Sequence, residues 1–136
     1  MSWIYKQNKI DEELLVDYTS FVYCITNITN GKMYIGKKSL KFKKTKVVKG
    51  KKKRSLIESD WKTYYGSNKN LHQDIELLGE NNFKREILRL CKTKGEASYF
   101  ETKYIFDLNV LISDNFYNEW VMCRINKFHL KKVNIF

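Results

Sequence analysis

Tyr23 and Tyr34 lie in two short runs rich in β-branched and aromatic residues, and Asn27, Thr29, Asn30 and Gly31 between the runs are turn formers. That pattern predicts a β-hairpin. Side chains alternate along each strand, and a turn with an even number of residues between the innermost paired positions points both phenols to one face. Two phenols then face a single site, although tyrosine is also an ordinary residue of sheets. A carboxylate joins them as a candidate. In a helix beginning near Glu96, Ala97, Tyr104, Leu108 and Leu111 follow one face with Phe100 beside them, and Glu101 falls on the same stripe. A carboxylate facing a core is unfavourable unless it is paired or bound to a metal. Two readings stand side by side: a metal ligand, and an ion pair with Lys103 or with a lysine of the basic segment.

That segment is the third chemical feature. The chain carries 26 Lys and Arg against 15 Asp and Glu, a net charge of +11, and residues 37–54 hold 11 basic residues and no acidic one. The whole excess therefore sits in one stretch, and the remainder of the chain is balanced. A localised cationic block suits phosphate contacts, since each neutralised phosphate releases counterions and adds salt-dependent affinity. A solvated insertion without a partner is the plainer alternative.

The elements that must position these groups fit one domain. A chain of 136 residues with 43% apolar and 15% aromatic residues can bury one core and is too short for two ordinary ones. The first hairpin uses residues 21–26 and 32–36. Beyond it the basic segment reads either as a second, basic hairpin or as a mobile loop. Residues 11–16 form a short helix or an approach to the first strand. Gly66, Ser67 and Asn68 supply a stop and an N-cap, Leu71, Ile75 and Leu78 recur at helical spacing, and Gly79 stands where a C-cap glycine belongs. Residues 83–90 read as a third strand, and Lys94 and Gly95 separate it from the second helix. The tail from Asn115 places Phe116, Tyr117, Trp120, Val121, Met122 and Ile125 against the core. The expected fold is α+β, a small three-stranded antiparallel sheet flanked by helices, with a basic insertion at about 37–54.

Cys24, Cys91 and Cys123 are odd in number, lack metal-ligand spacing and sit among apolar neighbours, which marks them as reduced core residues. No apolar run reaches membrane-spanning length and the start lacks a signal-peptide h-region, so the expected location is the cytoplasm. No P-loop, dinucleotide fingerprint, zinc ligand set or nucleophile elbow competes for the chemistry.

Phe21-Val22-Tyr23, ten residues, and Tyr34-Ile35-Gly36 resemble the two-part signature of the GIY-YIG nuclease family, and the intervening turn, the strand Asn82-Phe83-Lys84-Arg85-Glu86-Ile87-Leu88, the helix bearing Glu101 and Phe116-Tyr117-Asn118 follow in the family's order. The resemblance covers residues 20–119. With its long basic insert, the run from Ser59 through Trp61 and Tyr65 to Ser67, and Asn118-Glu119-Trp120, the chain looks like small phage-encoded homing endonucleases. It departs in two places. Phe21 replaces the first glycine, and the arginine that members carry soon after the second half of the signature has no counterpart at the usual spacing. Arg54 is the arginine available between Gly36 and Gly79, with Lys37, Lys38 and Lys53 as substitutes.

The resemblance implies a metal-dependent DNA endonuclease. Tyr23 would act as general base or orient the attacking water, with Tyr34 in a hydrogen-bond network that lowers its pKa from about 10. Glu101 would hold Mg²⁺ or Mn²⁺, Arg54 would contact the scissile phosphate, and Asn118 would fix the site, unless it is a turn residue. Lys37, Lys38, Lys51, Lys52 and Lys53 would bind DNA. Trp61, Tyr64 and Tyr65 border the basic block and fit core packing better than base stacking; His72 and His129 read as exposed residues. The runner-up is a nucleic-acid-binding protein on the same fold without cleavage. No separate DNA-recognition domain is expected, so selectivity would come from the insert, a homodimer or a protein partner, in the cytoplasm of a phage-infected bacterial host.

Overall fold

The computed structural model describes residues 2–133. Its strands are β1 (Trp3–Tyr5), β2 (Asn8–Lys9), β3 (Ser20–Asn27), β4 (Met33–Ser39), β5 (Lys41–Val48), β6 (Lys51–Glu58) and β7 (Phe83–Cys91), with helices α1 (Lys69–Leu78) and α2 (Lys94–Asp107). Five strands form one sheet in the order β2-β1-β7-β3-β4, and β5 and β6 form a separate two-stranded ribbon. The expected antiparallel trio is present as β3, β4 and β7. The sheet is wider than three strands because β1 runs parallel to β7 and β2 folds back on β1. Strands of three and two residues are too short to show alternation, and their turn has positive φ at Lys6 (48°) and Gln7 (71°), where no glycine marks it.

Both faces of the sheet are covered, which is why β3 is apolar almost throughout. Phe21, Tyr23 and Ile25 point into one core with Trp3, Trp61, Tyr65 and Leu71 of α1. Val22 and Cys24 point into the other with Ala97, Phe100 and Ile105 of α2. Asn68 caps α1, its side chain accepting from the Leu71 amide at 3.0 Å, and Gly79 ends the helix at φ 89°. Helix α2 starts earlier than the sequence suggests. Thr93 is the cap, accepting from the Glu96 amide at 3.0 Å, so Lys94 and Gly95 belong to the first turn. It also ends earlier: Asn109 is left-handed at φ 53°, which turns the chain so that Val110 is buried while Leu108 and Leu111 are exposed. Residues 12–17 form a 3-10 turn capped by Asp11. Cys24 and Cys91 are buried, and burial pushes their thiols up to about 11 and about 12, consistent with inert core residues; Cys123 is half-buried. Among the described residues no helix is long and apolar enough to cross a membrane.

The basic segment resolves into the hairpin alternative. It begins with Lys37 and Lys38 at the end of β4 and continues as the β5–β6 ribbon, whose pairing extends past Arg54 to Glu58. The ribbon turns at Lys49 and Gly50, with φ of 52° and 76°, the two-residue geometry that follows strand twist. Its base is tied to the body by the amide of Leu40 on the Thr19 carbonyl (2.8 Å) and the amide of Ser59 on the Leu40 carbonyl (2.9 Å).

Candidate active site at the edge of the sheet

A cleft of about 410 Å³ opens along β4 and is lined by Tyr23, Tyr34, Lys37, Glu101 and Asn118, with Trp120 and Met122 among the residues at its rim. Strand β4 is the last of its sheet, so one side of its backbone has no strand partner. Buried or half-buried amides and carbonyls must nonetheless be satisfied. On that side Met33 donates to the Asn115 carbonyl (2.9 Å) and accepts from the Tyr117 amide (2.7 Å). Two residues on, Ile35 donates to Asn118 Oδ1 (3.0 Å) and accepts from Asn118 Nδ2 (2.8 Å), so a side-chain amide takes the place of a neighbouring strand. Two further on, the Lys37 amide is turned toward the Glu101 carboxylate and favours its charged form. The free edge is thus closed by the tail, by Asn118 and by the helical glutamate in succession. Asn118 is a clamp on the strand between Tyr34 and Gly36 rather than a turn residue.

The phenols reach the cleft from the opposite face of the sheet. Tyr23 stands opposite Gly36 and Tyr34 opposite Ile25, which puts both on one face with ring centroids 6.2 Å apart, as the alternation predicts. A bulge in the β3–β7 pairing falls between Val22 and Tyr23, where bulges re-aim a side chain. Gly36 is required here for space: a Cβ at that position would overlap the Tyr23 hydroxyl. Tyr23 is 1% exposed, packed edge-on against Trp3, Phe21 and Tyr64. The Tyr64 phenol acts electrostatically on the Tyr23 hydroxyl. Tyr34 is half-buried, 3.2 Å from the Ser67 hydroxyl.

Burial raises the pKa of Tyr23 well above its ordinary value of 10.0, and the neighbouring Tyr64 and Tyr34 raise it further. The expected lowering by Tyr34 is therefore not found, because a second phenolate nearby repels the first. Burial also raises Tyr34, with Ser67 opposing. The Glu101 carboxyl is raised by burial, against the opposing pull of the Lys37 charge and amide. Among the described residues Glu101 forms no ion pair, since Lys103 is engaged by Asp107 at 2.8 Å.

The cations divide differently from the sequence expectation. Arg54 lies exposed on β6 opposite Thr45 and does not line the cleft. Lys37 does line it, and its Nζ donates to Ser98 Oγ of α2 at 2.6 Å. Lys38 is drawn inward: its side chain is 10% exposed, pairs with Asp60, and lies 4.0 Å from the Tyr64 ring centroid. Lys51, Lys52 and Lys53 are exposed on β6. Trp61 and Tyr65 are core residues. His72 Nε2 lies 2.6 Å from the Gly66 carbonyl, an internal contact of the turn before α1.

Four contributors were not legible in the sequence. Tyr64 is a third phenol, and the buried Arg85 holds its segment by donating to the Tyr64 carbonyl (2.8 Å) and the Lys62 carbonyl (3.1 Å) while lying between the rings of Trp3 and Tyr65. Ser67 is the third, at Tyr34. Trp120 is the fourth: expected against the core, it is 67% exposed at the cleft. Only proximity in sequence to Asn118 could have suggested it.

Comparison with known proteins gives a consistent result. Residues 3–121 match the family model described as "Putative endonuclease segE, GIY-YIG domain". Two relatives come from Enterobacteria phage T4. "Putative endonuclease segE" is 39% identical over 98 residues, 72% of this chain and 39% of that protein. "Putative endonuclease segD" is 32% identical over 95 residues, 70% of this chain and 35% of that protein. The chain thus matches less than half the length of either relative. No solved structure matches.

Proposed function

This chain belongs to the SegE GIY-YIG endonuclease domain family, and from that premise we propose that the cleft along β4 hydrolyses DNA phosphodiester bonds with the help of a divalent cation. The observation that carries the proposal is the convergence of two phenols, a half-buried carboxylate without an ion-pair partner and one lysine on a single cleft. Phosphodiester hydrolysis needs a proton acceptor for water, positive charge at the phosphate oxygens and support for the departing oxygen.

The residues fit a hard cation. Among the described residues no cluster of three His, Cys, Asp or Glu exists, and Mg²⁺ asks for less: one or two carboxylates, the rest water and phosphate oxygens. Glu101 would hold it, with Glu119 also at the cleft. When bound, the ion supplies positive charge at the phosphate and activates water.

Tyr23 serves as proton acceptor in this proposal. A general base needs contact with one water molecule and not bulk access, and Tyr23 lines the cleft despite its burial. Tyr64 orients its hydroxyl, and Tyr34 orders the water from the more open side. Lys37 takes the role sought in Arg54 and places its ammonium at the phosphate, poised by Ser98. Asn118 keeps Tyr34 and Gly36 in register through Ile35.

The test is nicking of supercoiled plasmid with Mg²⁺, Mn²⁺ or EDTA, alongside binding of the same DNA. Nicking in either metal and its loss in EDTA are expected. Binding without nicking in any condition would replace the enzyme with a DNA-binding protein on the same fold.

A further inference from the structure

We propose that the β5–β6 ribbon enters the major groove of duplex DNA standing on edge, with each of its faces turned to one phosphate wall. The inference rests on the reading of DNA as substrate and adds how the duplex is held. Directly paired residues share a face. The register therefore puts Lys44, Lys46, Lys51 and Lys53 on one face and Lys41, Lys43, Lys52 and Arg54 on the other. All eight are exposed. A ribbon lying flat on DNA would carry cations on the face toward it; this one divides them equally. Nine positive charges including Lys49, with Glu58 at the base as the sole acid, repel one another in the free protein. Counter-charges on both sides would relieve both sets.

The dimensions agree. Eight residues per strand at about 3.4 Å each span about 27 Å. The B-form major groove, about 12 Å wide and 8.5 Å deep, accepts a two-stranded ribbon, whose strands lie about 4.8 Å apart. The major groove of an RNA duplex is deep and narrow and does not admit one. The ribbon also starts beside the cleft: β4 carries Lys37 into it and leads through Leu40 to β5.

The experiment measures binding of a fluorescent DNA duplex by the full chain in EDTA across a salt series. Two variants replace Lys44, Lys46, Lys51 and Lys53, or Lys41, Lys43, Lys52 and Arg54, by Gln. Each is expected to flatten the slope of log K against log salt by about 3.6 units, roughly 0.9 for each of four lost contacts, and Lys→Arg at the lysine positions is expected to keep it, which separates charge from folding. Methyl green in the major groove should compete, netropsin in the minor groove should not, and an RNA duplex should bind weakly. An effect confined to one face, competition by netropsin, or equal binding of RNA would overturn the proposal while leaving DNA as substrate. Absence of DNA binding by the wild-type chain would remove both.

Discussion

A single residue, Leu40, separates the cleft strand β4 from the ribbon strand β5, yet the two regions are built on opposite principles. Around the cleft the free edge of β4 is met by the tail and by Asn118, and Tyr23 is held by three rings in the space that Gly36 leaves. Along the ribbon almost every side chain is exposed, and the backbone pairing is its main internal support. An isolated two-stranded hairpin is marginal in water. The contrast teaches a division of labour. Fixed geometry suits a reaction centre, because catalysis rewards pre-positioned groups; a long cationic arm suits a polyanion whose charge repeats regularly and need not be met at one point.

The sharpest way to break this comparison lies at Glu101. Glu101→Gln removes, at nearly constant volume, the carboxylate proposed to hold the metal, and an ion supplying several kcal/mol to the transition state implies a loss of nicking of about 10³-fold or more. DNA binding should be unchanged if affinity resides in the ribbon. Wild-type nicking rates in that variant would end the metal role of the cleft. The same residue carries a stability signature. Its folded pKa lies above the ordinary value, so its contribution is fully present in acid and is lost as pH rises through the carboxylate range. At neutral pH and without metal, Glu101→Gln should melt slightly higher than wild type, and Mg²⁺ should raise the melting temperature of wild type alone.

Tyr23→Phe keeps the ring and deletes the hydroxyl, and loss of a general base predicts a fall of roughly 10²- to 10⁴-fold. The pH profile identifies the group. Burial holds the Tyr23 pKa well above 10, so the phenolate fraction should grow about tenfold per pH unit from neutrality upward with no plateau at 10, and the slope should vanish in the variant. A profile that stays intact in Tyr23→Phe and flattens in Tyr34→Phe would transfer the role to Tyr34. Gly36→Ala is the steric counterpart. The new methyl displaces the Tyr23 hydroxyl, which should destabilise the fold by about 1–3 kcal/mol and reduce nicking, whereas Gly50→Ala at the ribbon tip meets open space and tests only its positive φ.

Much of the cleft was legible because its signals are local. The alternation of two strands around a turn places Tyr23 and Tyr34 on one face, and the caps Asn68 and Gly79 bound α1 where the residues suggest. Glu101 stands out in the sequence because a carboxylate interrupts an apolar stripe, although the helix ends at Asp107 and the stripe does not continue to Leu108 and Leu111. What was hidden depends on contacts between distant segments. Tyr64 meets Tyr23 only after the chain has made the whole ribbon, and β1 was invisible because three residues next to β7 carry no periodicity. Arg54 shows a related limit: charge counting records that a cation exists, but strand register places it on the ribbon opposite Thr45, outside the residues that line the cleft.

The two regions can finally be compared with single cations. Lys37 and Arg54 both belong to the segment that holds all the excess charge, but one lines the cleft and the other stands opposite Thr45 on the ribbon. A charge-assisted bond contributes about 1.5–3 kcal/mol, so Lys37→Ala should slow nicking roughly tenfold to a hundredfold with little change in DNA affinity. Arg54→Ala should match Lys51→Ala and Lys52→Ala: affinity falls a few-fold at physiological salt, the salt slope loses about 0.9 unit, and the rate at saturating DNA stays close to wild type. Single-turnover nicking at saturating protein, set beside fluorescence binding, separates the two effects. If Arg54→Ala alone slows the saturated rate, the ribbon must fold over the cleft when DNA is bound, and the division between a fixed reaction centre and a separate holding arm would fail at its base.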